Sequence, residues 1–228
     1  MVSILPLVLV SLLGAPAPAD VCDLMSGAGP SPAVPGFGDV RELALRGDYK
    51  AALDALGARA QALSEQAEKL FFNGEDRDQP DARRFIDTNV LNKGPLRIRN
   101  DNFTLSLEMF AWAAFLACKS GRTQDGLGYL NSAWRDWMEP ASRDDAALLL
   151  LAASKPEDAR QFLADRPDGD GQKTAAAVYQ CVAGVAADGA AVLKEVSGRS
   201  KDSRLQAALT RVAAGCTLAP PVPTKKPR

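Results

Sequence analysis

The chain has 228 residues, 24% charged and 46% apolar, the balance of an ordinary globular protein of one large or two small domains. A formal net charge of −1 provides no broad positive field, so no nucleic-acid partner is expected. Histidine is absent, which removes Ser-His-Asp and Cys-His nucleophile arrangements and histidine-based zinc sites; no cofactor is expected, and acid–base chemistry would fall to a perturbed carboxylate, lysine or cysteine.

Residues 1–19, MVSILPLVLVSLLGAPAPA, carry no charged side chain. The apolar run from Val2 to Leu13 has the length of a signal-peptide core, and Ala17-Pro18-Ala19 supplies a small-x-small cleavage pattern, with Asp20 as the expected first mature residue. No Lys or Arg precedes the run, and the rival reading is an uncleaved anchor. Pro6, Pro16 and Pro18, with an apolar core of about a dozen residues, fall short of the ~20 that a spanning helix needs. The expected location is periplasmic or secreted, with membrane contact only if this segment stays attached. The residues before Cys22, Ala19-Asp20-Val21, do not form a lipoprotein box.

Residues 20–38 are rich in glycine and proline and predict an arm, ordered by contact or flexible, rather than a helix interior. Residues 219–228, proline-rich with a basic tip, predict a disordered tail. Between them, residues 39–218 show helical spacing. Val40, Leu43 and Ala44, then Ala52, Leu53 and Leu56, recur at three and four, with Gly47 between the runs and Asp48 at the expected N-cap. A second pair is expected from Phe103, with Met109, Trp112, Phe115 and Leu116 on one side, then Thr123 opening a helix with Leu127, Leu130, Trp134 and Trp137. A third runs over Ala146–Ala153 and, after Ser154-Lys155-Pro156, Ala159–Leu163. A fourth covers Thr174–Ala183 and Asp188–Val196, and Ser203–Ala214 is a closing helix. Residues 73–102 interrupt the series as a polar loop with a short helix near Arg83–Leu91, and long insertions of this kind are often functional.

The pairs align with one another. Cys118, Gly121, Asp125, Gly126 and Leu130 fall on Cys181, Gly184, Asp188, Gly189 and Leu193, an offset of 63; Asp158, Ala159 and Leu163 lie 33 beyond Asp125, Gly126 and Leu130. Gly47, Ala52 and Leu56 take the same places in the first pair. Glycine ends a first helix, a small residue lets the second approach it, and leucine fills the gap one turn later. This pattern, over residues 39–58 and 103–214, resembles the tetratricopeptide repeat, with Pro140 at the family's closing proline. The resemblance implies an all-α fold of stacked antiparallel helix hairpins, a solenoid of about four pairs plus a capping helix, with a surface for a protein or peptide partner.

Four cysteines, Cys22, Cys118, Cys181 and Cys216, allow three pairings in an oxidising compartment. Cys118 and Cys181 hold equivalent places two repeats apart, a separation of ~20 Å at 8–10 Å per helix layer, too far for a bridge that needs Cα atoms within ~7 Å. The favoured pairing joins Cys181 to Cys216 and Cys22 to Cys118; other bridges or four buried thiols stay open. Trp112, Trp134 and Trp137 are candidates for either core or an interaction surface, and Arg97 and Arg99, with Lys93, for contact with an acidic partner. The run Asp165–Gly171 fits a turn between helices and lacks the ligand pattern of an EF-hand. Glu75, Asp76, Asp78 and Asp81 form either a solvated loop or a carboxylate pair for glycoside cleavage. The leading expectation is a non-enzymatic exported interaction module; the alternatives are a carboxylate-dependent cell-wall or polysaccharide hydrolase or lyase, and an accessory that anchors a complex through its tails.

Overall fold

A computed structural model describes residues 16–29, 37–59, 96–99, 102–105, 107–137, 141–184 and 188–216. The described chain is helical apart from one two-stranded ribbon. Its helices are α1 (Pro18–Cys22), α2 (Gly38–Leu45), α3 (49–59), α4 (Leu107–Lys119), α5 (Thr123–Trp137), α6 (Ala141–Ala152), α7 (Pro156–Ala159), α8 (Asp170–Ala183), α9 (Gly189–Arg199) and α10 (Ser203–Cys216). Short 3₁₀ turns follow α1 at Ser26–Ala28 and α7 at Arg160–Phe162.

Three helix ends close in the same way. Gly47, Gly121 and Ser154 have left-handed φ of 81°, 73° and 57°. At each, the following residue's N–H returns five residues, from Asp48 to Leu43 O, Arg122 to Ala117 O and Lys155 to Leu150 O, while the left-handed residue's own N–H returns three. This pair of bonds satisfies two orphan carbonyls and reverses the chain into the next helix. Ser154 does with a side chain what glycine does without one, at a cost of about 1–2 kcal/mol in the left-handed region. Gly184, also left-handed at φ 65°, ends α8 with one bond to Gln180 O.

The second helix of each pair approaches the first through a small residue. A Cβ on Gly126 would lie 2.7 Å from Leu149 Cδ2 and 3.3 Å from Ala117 Cβ; on Gly189 it would lie 2.6 Å from Ala177 O and 2.8 Å from Cys181 Sγ. Ala52 and Ala159 have no exposed surface. Around these points α4 packs on α5, α5 on α6, α6 on α8, α8 on α9 and α9 on α10. Leu56, Leu130 and Leu193, the residues one turn further on, are buried at 2% exposure or less. One part of the core joins Phe37, Val40, Leu53 and Leu56 to Met109, Trp112 and Leu116 of α4; the other runs through Leu148, Leu149, Val178, Leu193, Leu209 and Val212.

Two expectations change. Residues Leu96–Arg99 and Asn102–Leu105 form an antiparallel hairpin with Arg99 opposite Asn102, so the chain from Phe103 to Leu105 is strand and α4 begins at Leu107. The helical fold class stands, with one two-stranded ribbon added to it among the described residues. The second helix of the third pair is a single α turn followed by a 3₁₀ turn; Pro156 opens it, where a missing N–H has no consequence, and Leu163 is extended. The expected leader junction Ala19–Asp20 lies inside α1, and Pro16, just ahead of it, packs against Gly215 of α10. Residues 1–15, most of the 73–102 insertion with its carboxylates and Lys93, and the 219–228 tail lie outside the described residues.

Candidate functional site

Residues 16–29, the end of the expected leader and the first half of the arm, are not a loose lead. They lie across α4, α6 and α10, three helices distant from them in sequence. Val21, Cys22, Leu24 and Met25 are buried at 7% exposure or less and join the main core. Gly27 marks the closest approach: a Cβ there would stand 2.0 Å from Ala111 O and 2.7 Å from Trp112 N, both backbone atoms of α4. Only glycine lets the arm lie this close to the helix.

Charge fixes the arm from both sides. Lys119 of α4 donates to Ala19 O at 2.9 Å and pairs with Asp23 at 2.6 Å, with its ammonium 5.8 Å from the ring centres of both Tyr49 and Phe115. It thus ties the arm to the first helix pair. Arg211 of α10 bonds Asp20 at 2.7 Å and Asp23 at 2.9 Å, and Arg204 donates to Ala28 O at 2.8 Å. The Asp20 carboxylate raises the affinity of Arg211 for its proton. At the centre, Asp145 of α6 accepts hydrogen bonds from the Ser26 backbone N–H at 2.8 Å and hydroxyl at 2.5 Å. Burial pushes the Asp145 carboxyl up to about 6, the two Ser26 bonds draw it down, and neighbouring Asp144 raises it further. Sequence reasoning missed this contact, although Asp145 stands on the same spacing as Leu148, Leu149 and Ala152, a carboxylate within an apolar stripe.

Two disulfides complete the attachment. Cys22 joins Cys118 with Cα atoms 5.8 Å apart, and Cys181 joins Cys216 at 5.0 Å, the pairing favoured by the alignment of helix pairs. The first bolts the arm to α4; the second ties α8 to α10. Both suit an oxidising compartment.

A separate cavity of about 490 Å³ opens between α5, α6 and the 3₁₀ turn. Leu127, Leu130, Ala146 and Phe162 form its apolar wall; Asn131, Ser142, Arg143 and Gln161 contribute polar groups. It has the size and mixed lining of a site for a small ligand or a partner's side chain.

The remaining candidates are scattered. Trp112 has 2% exposure and belongs to the core cluster shared by α4 and the first helix pair, so of its two readings the interaction surface is corrected to core: a buried indole has no face to offer a partner. Trp134 and Trp137 lie on α5, and Arg97 and Arg99 on the first strand of the ribbon, at register positions opposite Thr104 and Asn102; their side chains lie outside the described residues. Residues 165–171 lead into α8, with Asp170 paired to Arg199 at 2.8 Å. Among the described residues no group of three His, Cys, Asp or Glu is placed to hold a metal ion, and no helix is long and apolar enough to cross a membrane. Comparison with protein-family models, curated proteins and solved structures finds no match to this chain.

Proposed function

We propose that the chain is an exported, non-enzymatic interaction module, a tetratricopeptide-like solenoid whose partner is a protein or peptide in the periplasm or outside the cell. One observation carries this reading: the scaffold already holds a peptide segment, its own residues 20–29, against three helices by buried apolar side chains, a carboxylate and basic clamps. The repeated left-handed closures at 47, 121 and 154 support the solenoid, as does a matching crossing in which Gly126 meets Ala117 and Gly189 meets Gln180, each nine residues back. The disulfides support export. With the arm in its cleft, the cavity between α5 and α6 is the surface offered to a partner's side chain.

A photo-cross-linking amino acid at Asn131, exposed on that cavity, tests this in producing cells. The expected outcome is a discrete protein adduct that is lost when Leu127→Trp fills the cavity and is not formed from the same probe at exposed Lys201. An adduct pattern identical at 131 and 201, or none at either, contradicts the proposal.

A further inference from the structure

Asp145 is the one buried carboxylate among the described residues, with 3% exposure, and both of its hydrogen bonds there come from Ser26. Ser26 itself is at the surface, so the arm is what separates this carboxylate from water. A buried carboxylate is normally balanced by a cation. The charged groups on the surrounding elements are committed elsewhere: Lys119 of α4 to Asp23, Arg211 of α10 to Asp20 and Asp23, Arg204 of α10 to Ala28 O and Asp202, and Asp170 of α8 to Arg199. Lys173 of α8 and Arg160 of the 3₁₀ turn form no ion pair with Asp145 among the described residues, and on α6 itself Arg143 is exposed while Asp144 adds a like charge.

We propose that Asp145 and Ser26 form a proton-sensitive latch that sets how firmly residues 24–29 close over α4 and α6, with Cys22–Cys118 as the fixed hinge. Protonated, Asp145 keeps both contacts: its carbonyl oxygen accepts from the Ser26 N–H, and its hydroxyl donates to Ser26 Oγ. Ionised, it keeps them while losing water and gaining no counter-ion. Lifting the arm lets water in and relieves that penalty.

The direction follows by linkage. The closed arm holds the carboxyl near 6 and the open arm returns it toward the ordinary value of 3.8, so the closed state binds more protons between these limits. Closure is therefore strongest at acid pH, weakens as pH rises through this window and levels off above it. The latch is independent of which partner the scaffold takes.

Hydrogen exchange of the Ser26 amide in the full oxidised chain reads the latch directly, since that N–H points at Asp145. Corrected for intrinsic exchange, its protection is expected to fall roughly 10- to 30-fold between pH 4.5 and 7.5. Asp145→Asn, which preserves an acceptor for the N–H, should flatten the profile. Ser26→Ala, which retains the reporting amide and removes one bond that favours the ionised form, should move the midpoint to higher pH even if the first variant folds poorly. A flat wild-type profile overturns the proposal. So does an unshifted Ser26→Ala profile, or an Asp145→Asn profile that keeps the wild-type slope and so assigns the effect to Asp20 and Asp23.

Discussion

Gly27→Ala is expected to destabilise the protein by about 3–5 kcal/mol, far beyond the effect of an ordinary surface substitution. The added carbon would stand 2.0 Å from Ala111 O, 2.3 Å from Ala111 C and 2.7 Å from Trp112 N. These are backbone atoms within α4, held by the helix on both sides, so the arm must move instead. Moving it withdraws Leu24 and Met25 from the core and opens Asp145 to water. Urea unfolding followed by circular dichroism gives the magnitude, and loss of Ser26 amide protection identifies the arm as the part displaced. Gly29→Ala is the control: its nearest neighbour outside the arm is the end of the Arg204 side chain at 3.7 Å, and its effect should stay within about 0.5 kcal/mol. Equal effects at both positions would mean that the arm does not rest on α4.

The second large effect belongs to the cysteines. Cys22 and Cys118 are separated by 96 residues and Cys181 and Cys216 by 35. On the chain-entropy model the longer loop contributes about 4.7 kcal/mol and the shorter about 3.8 kcal/mol. Cys22→Ser with Cys118→Ser should therefore lower stability more than Cys181→Ser with Cys216→Ser, and only the former should free the arm. Paired unfolding curves decide the order; limited proteolysis decides the place, with new cuts within 20–29 expected for the first double variant. Cleavage confined to α10 in that variant would contradict the role given to Cys22.

Periodicity made the helical architecture legible because its causes are local. Glycine at 47 and 121 supplies left-handed closure, small residues at 52, 126, 159 and 189 allow close crossing, and leucine follows at a fixed interval. The cysteine pairing was legible in part: equivalent places two layers apart exclude Cys118 from Cys181, and adjacent helix ends favoured Cys181 with Cys216, the bridge that the structure has. The arm was not legible. Its glycines and prolines predict irregular backbone, which is correct in part, yet its partners lie roughly 90–190 residues away and leave no periodic mark. Asp145 held the available clue, a carboxylate on an apolar stripe that required a donor from elsewhere. The ribbon was missed because Leu96-Arg97-Ile98-Arg99 invited a reading by charge, while the alternation in that run was itself a strand signal.

Peptide mapping of the native protein, recovered without reduction from the producing cells and their medium, tests export and fold together. The expected result is a mature chain beginning at Asp20, present outside the cytoplasm, with Cys22 joined to Cys118 and Cys181 to Cys216. A cytoplasmic protein retaining residues 1–19 with four free thiols, or a bridge from Cys118 to Cys181, would contradict it.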